Sequence, residues 1–216
     1  MAVEEVLEEV AAEVRVCTKC DLCKNTKNGV PGEGSPHAEV LFIGEAPGFH
    51  EDRQGRPFIG PAGQFLNELL GSVGLDRSTV FITNVVKHRP PENRDPLPDE
   101  IAACSDYLTR QIAALNPKVI VTLGRFSMAR FFPGAKISAI HGQAKKVDGR
   151  VVVAMYHPAA ALHQQSLRQT VVDDFKRSIP PALAEARRLE TEGASANTAE
   201  KKDDTDEEPP KQLSLF

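Results

Sequence analysis

The sequence predicts an α/β protein, a three-layer α/β/α sandwich around a central four-stranded parallel sheet. Two observations carry the prediction. Four short runs rich in β-branched residues, Glu39–Ile43, Thr79–Val86, Lys118–Leu123 and Arg150–Met155, read as buried strands. Helical patterns lie between and after them, around Gly63–Val73, Pro98–Leu115, Phe126–Phe132 and Val171–Arg188, and this alternation implies a parallel sheet covered on both faces. The chain opens with a further helix, because Val3, Val6, Leu7, Val10 and Val14 recur at helical spacing opposite a glutamate face.

With 216 residues the chain suits one or at most two domains and can bury a core without disulfides. No apolar run approaches the ~18–20 residues that span a bilayer, and the acidic amphipathic start is unlike a secretory signal, so a cytoplasmic protein without membrane attachment is expected. The formal net charge is −4, which at first argues against a nucleic-acid partner. Its distribution argues otherwise. Residues 1–16 carry five Glu and one Arg, residues 191–216 seven acidic residues and three Lys, and residues 17–190 carry 18 acidic and 22 basic residues. A body of +4 stands between two ends of −4 each.

Ligands of such sheets bind outside the carboxyl ends of the strands. Those ends carry Gly44-Glu45-Ala46-Pro47-Gly48, Thr83-Asn84, Gly124 and Tyr156-His157-Pro158. The glycine-rich turn lets backbone approach a ligand, but it has neither a dinucleotide fingerprint nor a P-loop lysine. Asn84 offers an amide that donates and accepts together, as reading a nucleobase edge requires. His157 is fixed by the proline after it. Each has a plain structural explanation in isolation; their convergence on one rim of one sheet gives them weight. Cys17, Cys20 and Cys23 form a C-x2-C-x2-C run and Cys104 stands alone in a helix. In a reducing compartment this suggests zinc or an iron–sulfur cluster more than disulfides, and spacing does not choose between the two.

Taken together, the C-x2-C run, GEAPG (44–48), GRPFIGPAG (55–63), TNVVKHRPPENR (83–94), Cys104 and YHPAA (156–160) resemble the uracil-DNA glycosylase superfamily, most closely its iron–sulfur type called family 4. The resemblance spans roughly residues 17–180 and implies excision of uracil from DNA. It implies that Phe58 stacks on the extruded base, that Asn84 bonds its pairing edge and that backbone around Gly44 and Ala46 helps hold it. His157 would donate to uracil O2, Glu45 would position or activate the water, and Leu162 would be the wedge that fills the vacated stack. It also implies a [4Fe–4S] cluster. Where family members read K-C-R-P-P this chain reads Lys87-His88-Arg89-Pro90-Pro91. The expected ligands are therefore Cys17, Cys20, His88 and Cys104, with Cys23 in place of His88, or loss of the cluster, as alternatives. The K-R-R-I-H insert of a covalently trapping branch is absent.

Residues 1–190 are thus expected to form a glycosylase domain that acts as a monomer. From about Thr191 the composition turns to Glu, Asp, Lys, Thr, Ala and Pro, read as a disordered acidic linker over 191–211. The terminal Gln212–Phe216, QLSLF, resembles the peptide by which bacterial DNA-processing proteins dock on the sliding clamp, with Leu215 and Phe216 as anchors; a flexible linker of this length reaches on the order of 25 Å. The competing reading is a catalytically weak member that binds uracil or abasic DNA and recruits partners through this tail. A metal-dependent nucleotide hydrolase is disfavoured because the motifs hold no carboxylate cluster suited to Mg²⁺.

Overall fold

The computed structural model describes the backbone of residues 1–203 and the side chains of residues 1–192. In chain order the elements are α1 (Val3–Arg15), β1 (Glu33–Gly34), β2 (Val40–Gly44), α2 (Phe49–Gln54), α3 (Pro61–Ser72), β3 (Phe81–Asn84), α4 (Pro98–Leu115), β4 (Val119–Leu123), α5 (Arg125–Ala129), α6 (Ile137–Ile140), β5 (Ala144–Val147), β6 (Arg150–Met155), α7 (Pro158–His163) and α8 (Ser166–Asp203). All six strands form one sheet in the order β1-β3-β2-β4-β6-β5. The central four, β3-β2-β4-β6, are parallel, and these are the four strands expected. The sheet is wider than expected because β1 and β5 add antiparallel edges. β1 has two residues and β5 reads AKKV, so neither shows the apolar run that marks a buried strand.

Each parallel strand is buried on both sides, and alternate residues divide between two cores. Val40, Phe42, Val121 and Val153 face α3 and α8, where Phe65, Leu66, Leu69, Phe175 and Ile179 pack on them. Leu41, Ile43, Ile120 and Val152 face α4 through Cys104, Leu108, Ile112 and Leu115. The Phe42 and Phe175 rings stack with centroids 6.3 Å apart, tying α8 to the sheet. Complete burial of such side chains contributes ~1.5–3 kcal/mol each, which makes these layers the main source of cohesion.

α1 lies outside α4. Val10 and Val14 are fully buried against Tyr107, and Arg110 holds Glu13 at 2.7 Å and Glu9 at 3.3 Å. α4 itself begins on Pro98, with the Glu100 carboxylate accepting the Leu97 N–H at 2.7 Å and pairing with Arg94.

Among the described residues no helix is long and apolar enough to cross a membrane. The helical backbone of α8 continues to Asp203, past the boundary at 190 where composition placed the start of a linker. The rest of that linker and the Gln212–Phe216 peptide lie outside the described residues.

β3 runs from β2 to one side and β4 to the other, so the chain reverses its winding direction between β2 and β4. Crevices at the carboxyl ends of strands flanking such a reversal are the usual ligand sites of doubly wound sheets.

Candidate active site

A cavity of about 390 Å³ opens at that rim. Glu45, Ala46, Phe58, Asn84 and His157 line it, together with Gly48, Glu51, Pro90, Asn93, Arg94, Ala159 and His163. Five of the expected site residues therefore meet in one place.

Strand register explains the first pairing. Gly44 at the end of β2 sits opposite Asn84 at the end of β3. A Cβ on Gly44 would come within 2.4 Å of Asn84 Oδ1 and 2.5 Å of Phe58 Cζ, so only glycine lets both side chains close over this strand end. Just beyond, β3 stops being a regular strand: the N–H groups of Val85 and Val86 turn back to donate to the carbonyls of Gly44 and Glu45.

Phe58 is held in a constrained conformation. Its φ is +50°, in the left-handed region that non-glycine residues rarely adopt. Arg77 donates to the Phe58 carbonyl at 2.9 Å and also to the Pro57 carbonyl, and it is anchored by Glu33 at 2.7 Å. Glu33 also pairs with Arg56. Burial pushes the Glu33 carboxyl up, but the hydrogen bonds from Arg56 and Arg77 outweigh it and hold the group below its ordinary value. Gly63 completes the clamp, because any Cβ there would overlap the Phe58 carbonyl at 1.9 Å. The ring is thereby held beside His157, with centroids 5.5 Å apart and planes 28° apart.

His157 caps the N-terminus of α7, its Nδ1 accepting the Ala159 N–H at 3.1 Å. With Nδ1 acting as acceptor, the proton of the neutral ring resides on Nε2. Burial pushes the imidazole down to about 4, against the opposing influence of Glu51. The ring is therefore neutral at pH 7 and is a hydrogen-bond donor through Nε2. Gly124, at φ +89°, accommodates it; a Cβ there would stand 3.2 Å from the His157 Cβ.

Asn84 is 1 % exposed, and its Oδ1 has no hydrogen-bond partner. A buried amide oxygen left unpaired costs ~1–3 kcal/mol, so an unpaired acceptor at a cavity wall is an acceptor reserved for a ligand donor. Behind it the backbone is locked by Lys87, which is fully buried. Its Nζ donates to the Asn84 carbonyl at 2.8 Å, Thr83 Oγ1 at 2.7 Å and Gln111 Oε1 at 2.8 Å. Burial pushes this amine down to about 7.

Glu45 lies half-buried at the cavity wall. Burial is the main reason its carboxyl rises above the ordinary value; Asp95 adds to the rise and Arg125 opposes it. Glu51 was not singled out from the sequence. Its Oε1 accepts the N–H groups of Ile59 and Gly60, both at 2.8 Å, and so fixes the loop between Phe58 and α3. Leu162 stands on α7 beyond the cavity, 42 % exposed.

The cysteines lie near Lys87, whose backbone N–H hydrogen-bonds Cys104. Cys17 follows α1 and accepts the Lys19 N–H, Cys20 packs against the core that contains Cys104, and Cys104 is buried in α4. Burial raises the Cys20 thiol, and Cys17, Glu100 and Cys23 raise it further. Burial also raises Cys104, with smaller contributions from Cys20 and Cys17. These thiols are close enough to feel one another's charge, and a soft sulfur set of this kind suits an iron–sulfur cluster or zinc. Among the described residues no three His, Cys, Asp or Glu side chains converge in metal-holding geometry. His88 is buried, and burial lowers its value; the charged neighbour it senses is Asp52.

The cavity thus combines an aromatic platform, an unpaired amide oxygen, a neutral imidazole donor and a carboxylate. That set suits a flat, uncharged heterocycle and a bond cleavage in which negative charge develops on the ring. Comparison with known proteins points the same way. Residues 31–178 match the model of the uracil DNA glycosylase superfamily. A type-4 uracil-DNA glycosylase from Archaeoglobus fulgidus is 47 % identical over 182 residues, covering 80 % of this chain and 92 % of that protein. One from Thermotoga maritima is 43 % identical over 180 residues, covering 81 % and 94 %. A type-5 uracil-DNA glycosylase from Thermus thermophilus is 36 % identical over 149 residues, covering 59 % and 68 %. The chain belongs to the uracil DNA glycosylase superfamily.

Proposed function

We propose that the protein is a monofunctional uracil-DNA glycosylase that flips uracil out of DNA and hydrolyses its N-glycosidic bond, leaving an abasic site for base excision repair. The observation that carries the reading is the unpaired Asn84 Oδ1 beside the Phe58 ring. Uracil would offer its N3–H to that oxygen and its O4 to the amide nitrogen. Cytosine, with an acceptor at N3 and a donor at N4, meets the same amide with the wrong polarity. Sites of this design reject the mismatched partner strongly because buried polar groups go unpaired. Stacking on Phe58 offsets part of the few kcal/mol lost on extrusion.

Cleavage breaks the C1′–N1 bond, and its electron pair passes into the uracil ring. The neutral His157 would donate from Nε2 to O2 as that charge develops. Water would attack C1′ and pass its proton to the Glu45 carboxylate. Backbone around Gly44 and Ala46 would close on the base, and Leu162 would fill the gap in the stack. Among the described residues no lysine lines the cavity, in keeping with hydrolysis without strand cleavage.

We further propose a [4Fe–4S] cluster held by Cys17, Cys20, His88 and Cys104, with Cys23 the alternative to His88. The mutual influence of the thiols supports sulfur ligation. When bound, the cluster would supply a covalent tie between α1, the segment after β3 and α4. A working cytoplasmic monomer on uracil-containing DNA, tethered to a sliding clamp through Gln212–Phe216, completes the proposal.

In single-turnover assays on a uracil-containing oligonucleotide, His157→Ala should slow excision ~10²–10³-fold. Asn84→Ala should weaken it ~5–150-fold, from the ~1–3 kcal/mol of a buried hydrogen bond, and erode the preference over cytosine. Wild-type rates from either variant would refute these roles. Glu45 must be ionised to accept a proton and its value is raised, so excision should fall as pH drops through a midpoint above 4.5. His157, pushed down to about 4, titrates below that limb and adds only at its foot. Glu45→Gln should be slow and lack the limb; a wild-type midpoint at or below 4.5 contradicts the assignment. Purified protein should contain iron and acid-labile sulfide and absorb visible light, with both lost in Cys104→Ala and His88→Ala but retained in Cys23→Ala. The opposite pattern for the last two would move the ligand to Cys23. Removing residues 212–216 should abolish capture on an immobilised bacterial clamp without slowing excision; undiminished capture would rule out the docking peptide.

A further inference from the structure

Phe49 is large, apolar and 48 % exposed, although it is the first residue of α2 and directly follows Gly48 of the cavity wall. Exposure of a phenylalanine at this place is not a loose end, because the ring is held on several sides. The Arg53 guanidinium, one turn along α2, stands 5.4 Å from its centroid. The Arg89 guanidinium, from the segment after β3, stands 5.3 Å from it. The His50 ring meets it edge-on at 5.5 Å. Arg89 in turn donates from Nε to Asn93 Oδ1 at 2.7 Å, and Asn93 and Pro90 both line the cavity. Among the described residues neither Arg53 nor Arg89 pairs with a carboxylate.

An exposed ring flanked by two guanidiniums without carboxylate partners, next to the cavity wall, suits one kind of occupant. Aromatic faces accept any nucleobase, at ~1–3 kcal/mol per stack, while arginines take the phosphates beside it. Leu162 stands on α7, whose Ala159 and His163 form another part of the wall. Two exposed apolar side chains, Phe49 and Leu162, therefore stand on separate elements next to residues of the cavity wall. One wedge is enough to fill the space of an extruded base, which leaves the second group to meet a base still attached to the strand.

We propose that Phe49 is a stacking platform for a nucleotide adjacent to the extruded uracil in the same DNA strand, with Arg53 and Arg89 holding its flanking phosphates. The inference rests on the uracil-excision reading above and adds a strand-contacting subsite outside the base cavity.

The chain contains no tryptophan, so Phe49→Trp places a single reporter at the subsite. With the full-length protein and an oligonucleotide bearing one tetrahydrofuran abasic site, its emission should be quenched at saturation. The quench should vanish when both neighbouring bases are also replaced by tetrahydrofuran. Phe49→Ala should raise the Kd for the same oligonucleotide ~5–150-fold, with Phe49→Trp close to wild type and competition by free uracil unchanged. Arg53→Ala and Arg89→Ala should each lower the slope of log K against log salt by about 1. Emission unaltered at saturation, or Phe49→Ala binding as tightly as wild type, overturns the proposal. Loss of free-uracil competition in Phe49→Ala also overturns it, by making the residue a support of the cavity. A wild-type protein that leaves uracil-DNA intact defeats the underlying reading; an active wild type with an indifferent Phe49→Ala defeats this subsite alone.

Discussion

Everything at the cavity depends on the absence of a side chain at residue 44. The parallel register sets Gly44 beside Asn84, and the Phe58 ring comes down on the same spot. Two side chains from distant segments can share one strand end only if the strand contributes backbone alone. The rest of the site is arranged to keep them there. Arg77 and Gly63 hold Phe58 in its left-handed conformation, Glu51 ties the loop that follows, and Lys87 grips the Asn84 main chain from behind.

The electrostatics of the site follow from the same enclosure. Burial keeps His157 neutral, keeps Glu45 easier to protonate than a surface glutamate, and drives the Lys87 amine toward neutrality. The donor aimed at the place where charge must appear during bond cleavage is therefore a neutral dipole rather than a cation. A dipole that is already oriented, such as the Nε2–H set by the Ala159 contact, needs no rearrangement when that happens. The ionic attraction to DNA is left to the rim and to the weakly basic body, away from the bond being broken.

The four parallel strands and four of the five cavity residues were legible because both signals are local. An apolar run marks each strand, and Glu45, Ala46, Asn84 and His157 stand at strand carboxyl ends, whereas Phe58, beyond α2, came only with the family resemblance. β6 and α4 match the sequence expectation in extent. β1 and β5 were invisible because a paired edge needs only backbone, and their side chains carry no apolar pattern. Arg77 and Glu51 were missed for a different reason. Arg77 reaches Glu33 across 44 positions and Glu51 binds N–H groups in another loop, so their importance lies in partners that no spacing reveals. Lys87 reads as one more surface lysine until the fold buries it. Phe49 is conspicuous only once its exposure is known. The cysteines show the converse: their spacing is plain in the sequence, while how Cys104 comes to stand near Cys17 and Cys20 is a matter of the fold.

The amino-terminal segment has a consequence for how the chain is made. Residues 1–30 precede the stretch matched by the superfamily, yet Val10, Val14, Leu22 and Val30 are buried, and Asp52 accepts the N–H groups of Lys27 and Asn28. This segment wraps from α4 across to α2. Its α4 partners Tyr107 and Arg110 lie about a hundred residues downstream, so during synthesis it leaves the ribosome well before they exist. Until they arrive its apolar stripe has no surface to cover, and the helix is too short to be stable by itself in water. The segment must therefore wait for α4 before it can settle, a late closure that leaves its apolar stripe in need of protection while the sheet is still forming.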